Sequence, residues 1–337
     1  MVKNYLVFFV FLILSSCQVD NDEIPIALKS FEVSKWPFDF DSAISFIWDD
    51  NNKDHYQKIS PLFDLYGFKA SYGIISGYLN SEKHVLGYKS ILSNGHELMS
   101  HSHTHFPVES LSNEDIIFEL SESKKIINKV FDITPISYVH PNNRTNEFYN
   151  LSLNDYYLYS RIYNPTFLDP NFIANSGAGT DYNRFLYIHS LNVETKNWIV
   201  IAAHGVDGYG FNPLSYEDLD NFLLYLFKYK KTWVDTYSKI ALYNDVRQKV
   251  NLNYENNIIT FSKMNLDKYK EYFDECILTF SIELNDYSKI KINDNVNLID
   301  SFIKNDKLFI TVDLFKDTKF YLKLIKLKYK SFIFSFL

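Results

Sequence analysis

Two patterns of apolar residues recur along the first 250 positions, and together they predict a parallel α/β fold. Short, almost continuous apolar runs are typical of strands buried on both faces of a parallel sheet, whereas apolar residues three and four positions apart indicate amphipathic helices. The pattern predicts strands at 43–48, 69–75, 136–139, 157–163 and 198–203, and helices at 56–65, 87–93, 113–131, 214–229 and 236–246. Strands that alternate with helices favour a sheet covered by helices.

The pattern changes after about residue 247. From there to residue 337, β-branched and aromatic runs such as 258–261, 276–282 and 308–314 are separated by turns rich in Asn and Asp. This alternation predicts a small C-terminal antiparallel β-sandwich at 249–337. Its sequence is compatible with a spacer and with a glycan-binding module.

Residues able to do chemistry follow several of the predicted strands. Asp49 and Asp50 come directly after 43–48, His140 follows 136–139, and His204 follows 198–203. The segment 96–105 adds four of the nine histidines of the protein. Imidazole is the commonest metal ligand in proteins, and the carboxyl ends of parallel strands meet at one edge of a sheet. We therefore expect a metal site there, although each group alone also fits a polar loop or a core histidine.

The order of these motifs resembles the polysaccharide deacetylase family, whose catalytic unit is the NodB-homology domain. Trp48-Asp49-Asp50-Asn51 resembles its Asp-Asp-Gly motif, and His101-Ser102-His103-Thr104-His105 matches its His-(Ser/Thr)-x-x-His motif. The strand that ends at His204 resembles the last strand of the family, and the segment 233–243 resembles a closing segment found in one branch of it.

The resemblance implies a distorted (β/α) barrel, of class α/β, over residues 38–248. It also implies a divalent metal, usually Zn2+, bound by Asp50, His101 and His105. Asp49 would be the general base and His204 the general acid. Three protein ligands leave one coordination position open for water, as catalytic zinc requires.

Two departures from the family pattern stand out. Asn51 replaces the glycine that usually follows the two aspartates, and His140 stands where the third motif has an arginine. His140, Arg144 and Arg161 are therefore candidates for orienting the base or contacting substrate, and a purely structural role for His140 is an equal alternative. His103 is additional; on a strand it would share a face with His101 and His105, where it could support the site or contact substrate, and otherwise it is an exposed loop residue.

Composition and charge limit the classes of partner that this protein is expected to bind. The chain has 337 residues, of which 46% are hydrophobic and 18% aromatic, so it can form a sizeable core. Its net charge is −7 and no run of Lys or Arg stands out, which disfavours a nucleic-acid partner.

The N-terminal residues predict export and lipid anchoring. Residues 1–17 have a signal-peptide pattern that ends in Leu14-Ser15-Ser16-Cys17, which resembles the lipobox of bacterial lipoproteins. Lipidation of Cys17 would anchor the protein in a membrane, and residues 18–37 would form an acidic tether. The resemblance implies the outer membrane or cell surface of a Gram-negative bacterium. Only Cys276 would then remain, so no intramolecular disulfide is expected.

The expected function is metal-dependent deacetylation of an acetylated glycan, with an N-acetyl amino sugar favoured as substrate. The alternative is a catalytically inactive, glycan-binding lipoprotein with the same barrel. Retention of both a base and an acid favours the enzyme, since a binding protein needs neither. A metal-dependent amidohydrolase is disfavoured because an Asp pair precedes the histidines. The sequence predicts neither the glycan nor the oligomeric state.

Overall fold

The structure, a computed structural model, describes residues 28–161, 171–175, 180–255, 258–261, 265–284, 290–291, 298–316, 322–323 and 325–326. The helices are α1 Ser60–Leu65, α2 Glu82–Ser93, α3 Asn113–Phe131, α4 Glu147–Leu153, α5 Tyr182–Thr195, α6 Tyr216–Tyr229, α7 Tyr237–Lys249 and α8 Asp267–Lys270. The strands up to α7 are β1 Leu28–Val33, β2 Ser42–Trp48, β3 Ser71–Ile74, β4 Glu97–Ser100, β5 Ser137–Val139, β6 Tyr159–Arg161, β7 Asn171–Asn175, β8 Trp198–Ala203 and β9 Thr232–Val234. The strands after α7 are β10 Leu252–Glu255, β11 Ile258–Phe261, β12 Ile277–Leu284, β13 Ile290–Lys291, β14 Leu298–Lys304, β15 Lys307–Asp313, β16 Leu322–Lys323 and β17 Ile325–Lys326.

A parallel, partly closed barrel sheet forms the main domain. Its strand order is β6-β5-β4-β3-β2-β8-β7, and β9 also pairs with β2. Every pairing in this sheet is parallel, so all the carboxyl ends of its strands lie at the same edge. The fold class predicted from the sequence is confirmed.

Strand β2 supplies side chains to two separate cores. Ile44, Phe46 and Trp48 face helices α1, α2, α5 and α6, whereas Ala43 and Ile47 face α7 and the C-terminal sheet. Successive side chains of a strand point to opposite faces, so an uninterrupted apolar run is what a strand buried on both sides requires.

The C-terminal region is antiparallel, as predicted, and it recruits a strand from the start of the chain. Its main sheet has the order β1-β12-β15-β14, with every pairing antiparallel. The sequence placed residues 28–33 in a tether; they form β1 instead, and pair with β12. Any tether therefore ends before Leu28. In this region the two-residue alternation of β12 and β15 buries Leu278, Phe280, Leu308 and Ile310 against α7.

Several elements had weak sequence signals. The pattern missed the helices α4 and α5 and the strands β4, β7 and β9. Strands of three residues carry too little periodicity for such a pattern to detect. Cys17 and the predicted signal peptide lie outside the described residues. Within the described part of the chain, no helix is long and apolar enough to cross a bilayer.

Four buried histidines outside the candidate metal-binding triad make the stability of the fold depend on pH. Burial lowers the pKa of His55, His96, His140 and His189 to about 4. The unfolded chain therefore binds more protons than the folded protein between about pH 4 and pH 6.5, and the free energy of unfolding should fall as the pH falls through this window. A shift from 6.5 to about 4 corresponds to about 3 kcal/mol per histidine.

The substitution His189→Gln tests this prediction away from the site, because His189 contacts only Tyr225 and Thr232 through its ring nitrogens. Urea unfolding in the presence of a chelator should show a shallower loss of stability from pH 6.5 to pH 4.5 in the variant. Raised pKa values at Glu97 and Asp235 act in the opposite direction in both proteins, so the comparison cancels them. If the free energy of unfolding changes equally steeply with pH in the variant and the parent, burial of His189 does not cause the loss of stability.

Candidate metal centre

The ends of two strands bring the three predicted metal-binding residues together. Asp50 follows β2, whereas His101 and His105 lie in the loop after β4. Oδ1 of Asp50 is 3.3 Å from Nε2 of His101 and 3.5 Å from Nε2 of His105, and the two Nε2 atoms are 3.1 Å apart. In the described part of the chain, this is the group of His, Cys, Asp and Glu side chains whose ligand atoms are close enough to share an ion.

The donor set fits a divalent cation such as zinc. Nδ1 of His101 must carry a proton, because it donates to the carbonyl oxygen of Val139 at 2.9 Å. Nε2 of His101 is then left with a lone pair directed at Asp50. Burial, followed by the charge of His101, lowers the pKa of His105, so this imidazole is neutral at neutral pH, as a ligand must be.

Asp50 is ionised in this setting. Burial alone would raise the pKa of its carboxyl group, but the imidazoles of His101, His204 and His105 lower it to about 2. Its Oδ1 is buried without a hydrogen-bond partner among the described residues, so its lone pairs are free to bind a cation. One carboxylate and two imidazoles together can hold zinc and leave a position open.

Asp49, adjacent to Asp50, is a buried carboxylate with one free oxygen. Its Oδ2 accepts a hydrogen bond of 2.6 Å from Nη2 of Arg161, and the two side chains are only 3% and 2% exposed. Its Oδ1 has no hydrogen-bond partner in the described part of the chain. A buried carboxylate is costly unless it is paired, and Arg161 supplies that partner at Oδ2 while Oδ1 stays free of hydrogen bonds.

Of the candidates named for the missing motif arginine, Arg161 makes the contact with the base. It lies at the end of β6, two strands from β4 in the sheet. His140 does not touch Asp49: its backbone N–H and its Nδ1 both donate to the carbonyl oxygen of Arg161, at 3.3 and 3.1 Å. Arg144 is exposed and pairs with Glu109 at 2.6 Å, so it does not orient Asp49.

His204 lies on the other side of Asp50. Its Nε2 is 3.7 Å from Oδ2 of Asp50, and its side chain is partly exposed. The backbone carbonyl of His204 accepts hydrogen bonds of 2.8 Å from Nδ2 of Asn52 and from Nε2 of His55. These two bonds fix the backbone of His204 and leave its ring free to face a substrate.

His103 points away from the triad, which corrects the expectation that it would share a face with His101 and His105. Strand β4 ends at Ser100, and the loop after it turns through left-handed backbone at Ser102 and His105. The Nδ1 atom of His103 lies 2.9 Å from Oγ of Ser76. The alternation of faces that holds for a strand does not extend into this loop.

Glu119 of α3, which the sequence analysis missed, holds this loop in place. Its buried carboxylate accepts hydrogen bonds from the backbone N–H groups of His103 and Thr104 at 2.8 Å, and from the Thr104 hydroxyl at 2.5 Å. A sequence signal existed, because Glu119 lies on the apolar face of the helix beside Ile116 and Leu120.

The backbone and the hydrogen bonds of Asn51 explain why this residue can replace the glycine of the family pattern. Its backbone is left-handed, with φ 53°, and that of Asp50 is also left-handed, with φ 74°. The side-chain amide of Asn51 bonds both backbone groups of Ile75: Nδ2 donates to the carbonyl at 3.0 Å and Oδ1 accepts from the N–H at 2.7 Å. Asn tolerates this region better than most residues, and here it also ties the end of β2 to the end of β3.

The comparisons with known proteins concern the barrel domain. A family profile described as polysaccharide deacetylase matches residues 40–158. This match, over about a third of the chain, confirms the resemblance of the barrel domain to the polysaccharide deacetylase family. Among curated protein sequences, no significant match was found.

Solved structures related to this deacetylase-family domain are distant in sequence. A candidate polysaccharide deacetylase from Mycobacterium smegmatis is 14% identical, with a TM-score of 0.51 over 66% of this chain and 96% of that one. The Xyl-CE4 domain of a xylanase from the hindgut metagenome of Trinervitermes trinervoides is 18% identical, with a TM-score of 0.49 over 64% and 95%. At such identities the likeness to the first of these shows the fold alone.

The Arg161–Asp49 pair is expected to stabilise the fold. Arg161→Met leaves the carboxylate of Asp49 buried without a partner, which should lower the free energy of unfolding at pH 7 by about 3–5 kcal/mol. Urea unfolding in the presence of a chelator measures this change without a contribution from bound metal.

The double variant Asp49→Asn/Arg161→Met is the control. Removing both charges should destabilise the protein much less than the sum of the two single substitutions, since no buried charge is left unpaired. If the two single effects simply add, the two side chains do not stabilise each other in this way.

Proposed function

We propose that this protein is a metal-dependent deacetylase that removes acetyl groups from a glycan, with an N-acetylated amino sugar as substrate. The observation that carries the proposal is the division of labour between the two adjacent aspartates. Asp50 belongs to a group with His101 and His105, whereas Asp49 pairs with Arg161 and keeps one oxygen free. A free carboxylate oxygen next to a metal-binding group is placed to accept a proton from water, which binding a glycan does not require.

The protein side chains supply the proton transfers in this proposal. Oδ1 of Asp49 accepts a proton from the attacking water molecule, and Nε2 of His204 donates a proton to the departing nitrogen. A divalent cation held by Asp50, His101 and His105 would polarise the acyl carbonyl and lower the pKa of water. Zinc suits one carboxylate and two imidazoles.

The surroundings of the site favour a sugar polymer. Five aromatic side chains at least 45% exposed follow the carboxyl ends of β3, β4 and β8 in the chain: Tyr78, Phe106, Phe118, Tyr209 and Phe211. The ring of Phe211 lies 5.4 Å from that of His204, and Phe106 directly follows His105. Exposed rings on several loops offer flat apolar surfaces to the C–H faces of successive sugars.

The proposal predicts that Asp49→Asn and His204→Ala each lower acetate release by about 10²–10⁴-fold while bound metal is retained. Acetate release from acetylated oligosaccharides and metal content by mass spectrometry are the two measurements. Arg144→Ala is the matched control, because Arg144 is exposed and pairs with Glu109 away from the triad.

Three results would contradict parts of this proposal. Folded protein that takes up no divalent metal would exclude the metal-dependent reaction. Metal uptake without acetate release from any acetylated glycan would instead support the binding-only alternative. Full activity of Asp49→Asn would leave the metal site intact and remove Asp49 from the mechanism.

We also propose that the protein is anchored to a membrane through lipid attached to Cys17, a residue outside the described part of the chain. The support is the sequence 14–17 with its preceding apolar run. Cys17→Ser should move the protein from the membrane fraction to the soluble fraction of the producing cells, because an unlipidated tether has no acyl chains to insert. An unchanged membrane fraction for this variant would exclude the anchor.

A further inference from the structure

A cavity separate from the candidate metal centre lies between the barrel domain and the C-terminal sheet. Its volume is about 760 Å³, within the range of about 300–1,000 Å³ typical of small-molecule sites. Residues from both domains line it, among them Phe38, Trp233, Tyr272, Phe273, Asp274 and Glu275.

The cavity is remote from the candidate metal centre. Trp233 pairs with Ala43 near the start of β2, whereas Asp49 follows the end of the same strand. Six residues of strand at about 3.3 Å each separate Ala43 from Asp49, which is about 20 Å. A ligand in this cavity therefore does not occupy the triad.

The lining combines aromatic rings with charged groups. The two lysines in the lining already have carboxylate partners: Lys239 lies 3.9 Å from Asp235, and Lys316 lies 3.1 Å from Asp313. Within the described residues, Asp274 and Glu275 have no ion-pair partner, and both are exposed at the mouth of the cavity. A sugar ring has an apolar C–H face and a rim of hydroxyl groups, and this lining matches both.

Phe38 reaches the cavity through an uncommon backbone conformation. Its φ is 50° and its ψ is 27°, the left-handed region that large side chains rarely adopt. The conformation is held in place because the Phe38 N–H donates to Oγ1 of Thr279 and Asp39 pairs with Lys231 at 3.0 Å and Lys304 at 2.5 Å. Strained residues that the surroundings hold in place are frequent at binding sites.

We propose that this cavity is a second saccharide-binding site, which holds a segment of glycan while another segment lies at the metal centre. Its identity as a site for the same glycan rests on the proposed function; the presence of a saccharide site does not. Occupation of both sites by one polymer would raise its effective concentration at the metal centre.

The fluorescence of Trp233 can report the binding of a saccharide in the cavity. The protein has four tryptophans, and Trp36, Trp48 and Trp198 are at most 2% exposed, whereas Trp233 is partly exposed and lines the cavity. Its fluorescence should shift to shorter wavelength when a saccharide displaces water from its ring. Trp233→Phe keeps an aromatic ring and should abolish the signal.

The titration uses four β-1,4-linked hexasaccharides, those of N-acetylglucosamine, glucosamine, glucose and xylose. They are added to the Asp49→Asn variant so that acetyl groups are not removed during the measurement. At least one should give a saturable shift, and Tyr272→Ala should weaken its binding about tenfold or more. Tyr187→Ala is the matched control, since Tyr187 is an exposed tyrosine on α5 outside the cavity lining.

Two outcomes would overturn the proposal. One is the absence of a shift with all four hexasaccharides in protein that is folded by circular dichroism. The other is a shift whose affinity is equal in Tyr272→Ala, Tyr187→Ala and the parent. Because the readout is binding and not turnover, a failure of the deacetylase proposal leaves this test unaffected.

Discussion

The position of β2 constrains the whole candidate site. This strand is hydrogen-bonded to β3, β8 and β9 and buried on both faces, so its carboxyl end has a fixed place and direction. Asp49 continues the ladder, because its N–H donates to the carbonyl oxygen of Ala203 at 2.9 Å. A charged side chain placed there is buried whether or not it has a partner, and this burial makes Arg161 necessary.

Around that fixed point, polar side chains hold backbone that no regular element stabilises. The side-chain amide of Asn51 bonds the backbone of Ile75. The carboxylate of Glu119 accepts hydrogen bonds from backbone N–H groups of the loop between His101 and His105. Left-handed residues such as Asp50 and His105 are costly, and they persist where surrounding bonds determine them. The group of Asp50, His101 and His105 is thus pre-organised by neighbours that do not belong to it.

The second domain is built from both ends of the chain. Because β1 pairs with β12, the residues that precede the barrel and those that follow it share one sheet. That sheet packs on α7 through side chains such as Phe280 and Ile310, which leaves the aromatic cavity at its border with β9. The rings of Trp233 and Tyr272 there are half-buried, in contrast to the fully buried aromatic rings of the barrel core.

The sequence by itself determined the class of fold, most of the strands that carry the site, and the grouping of Asp50 with His101 and His105. It could do so because apolar runs, helical spacing and motif order are properties of neighbours along the chain. Only the tertiary structure decided that Arg161 and not Arg144 pairs with Asp49, that His103 faces Ser76, and that residues 28–33 form a strand. These outcomes depend on contacts between residues far apart in the sequence, such as the 112 positions between Asp49 and Arg161, and burial decides which of the available partners is required.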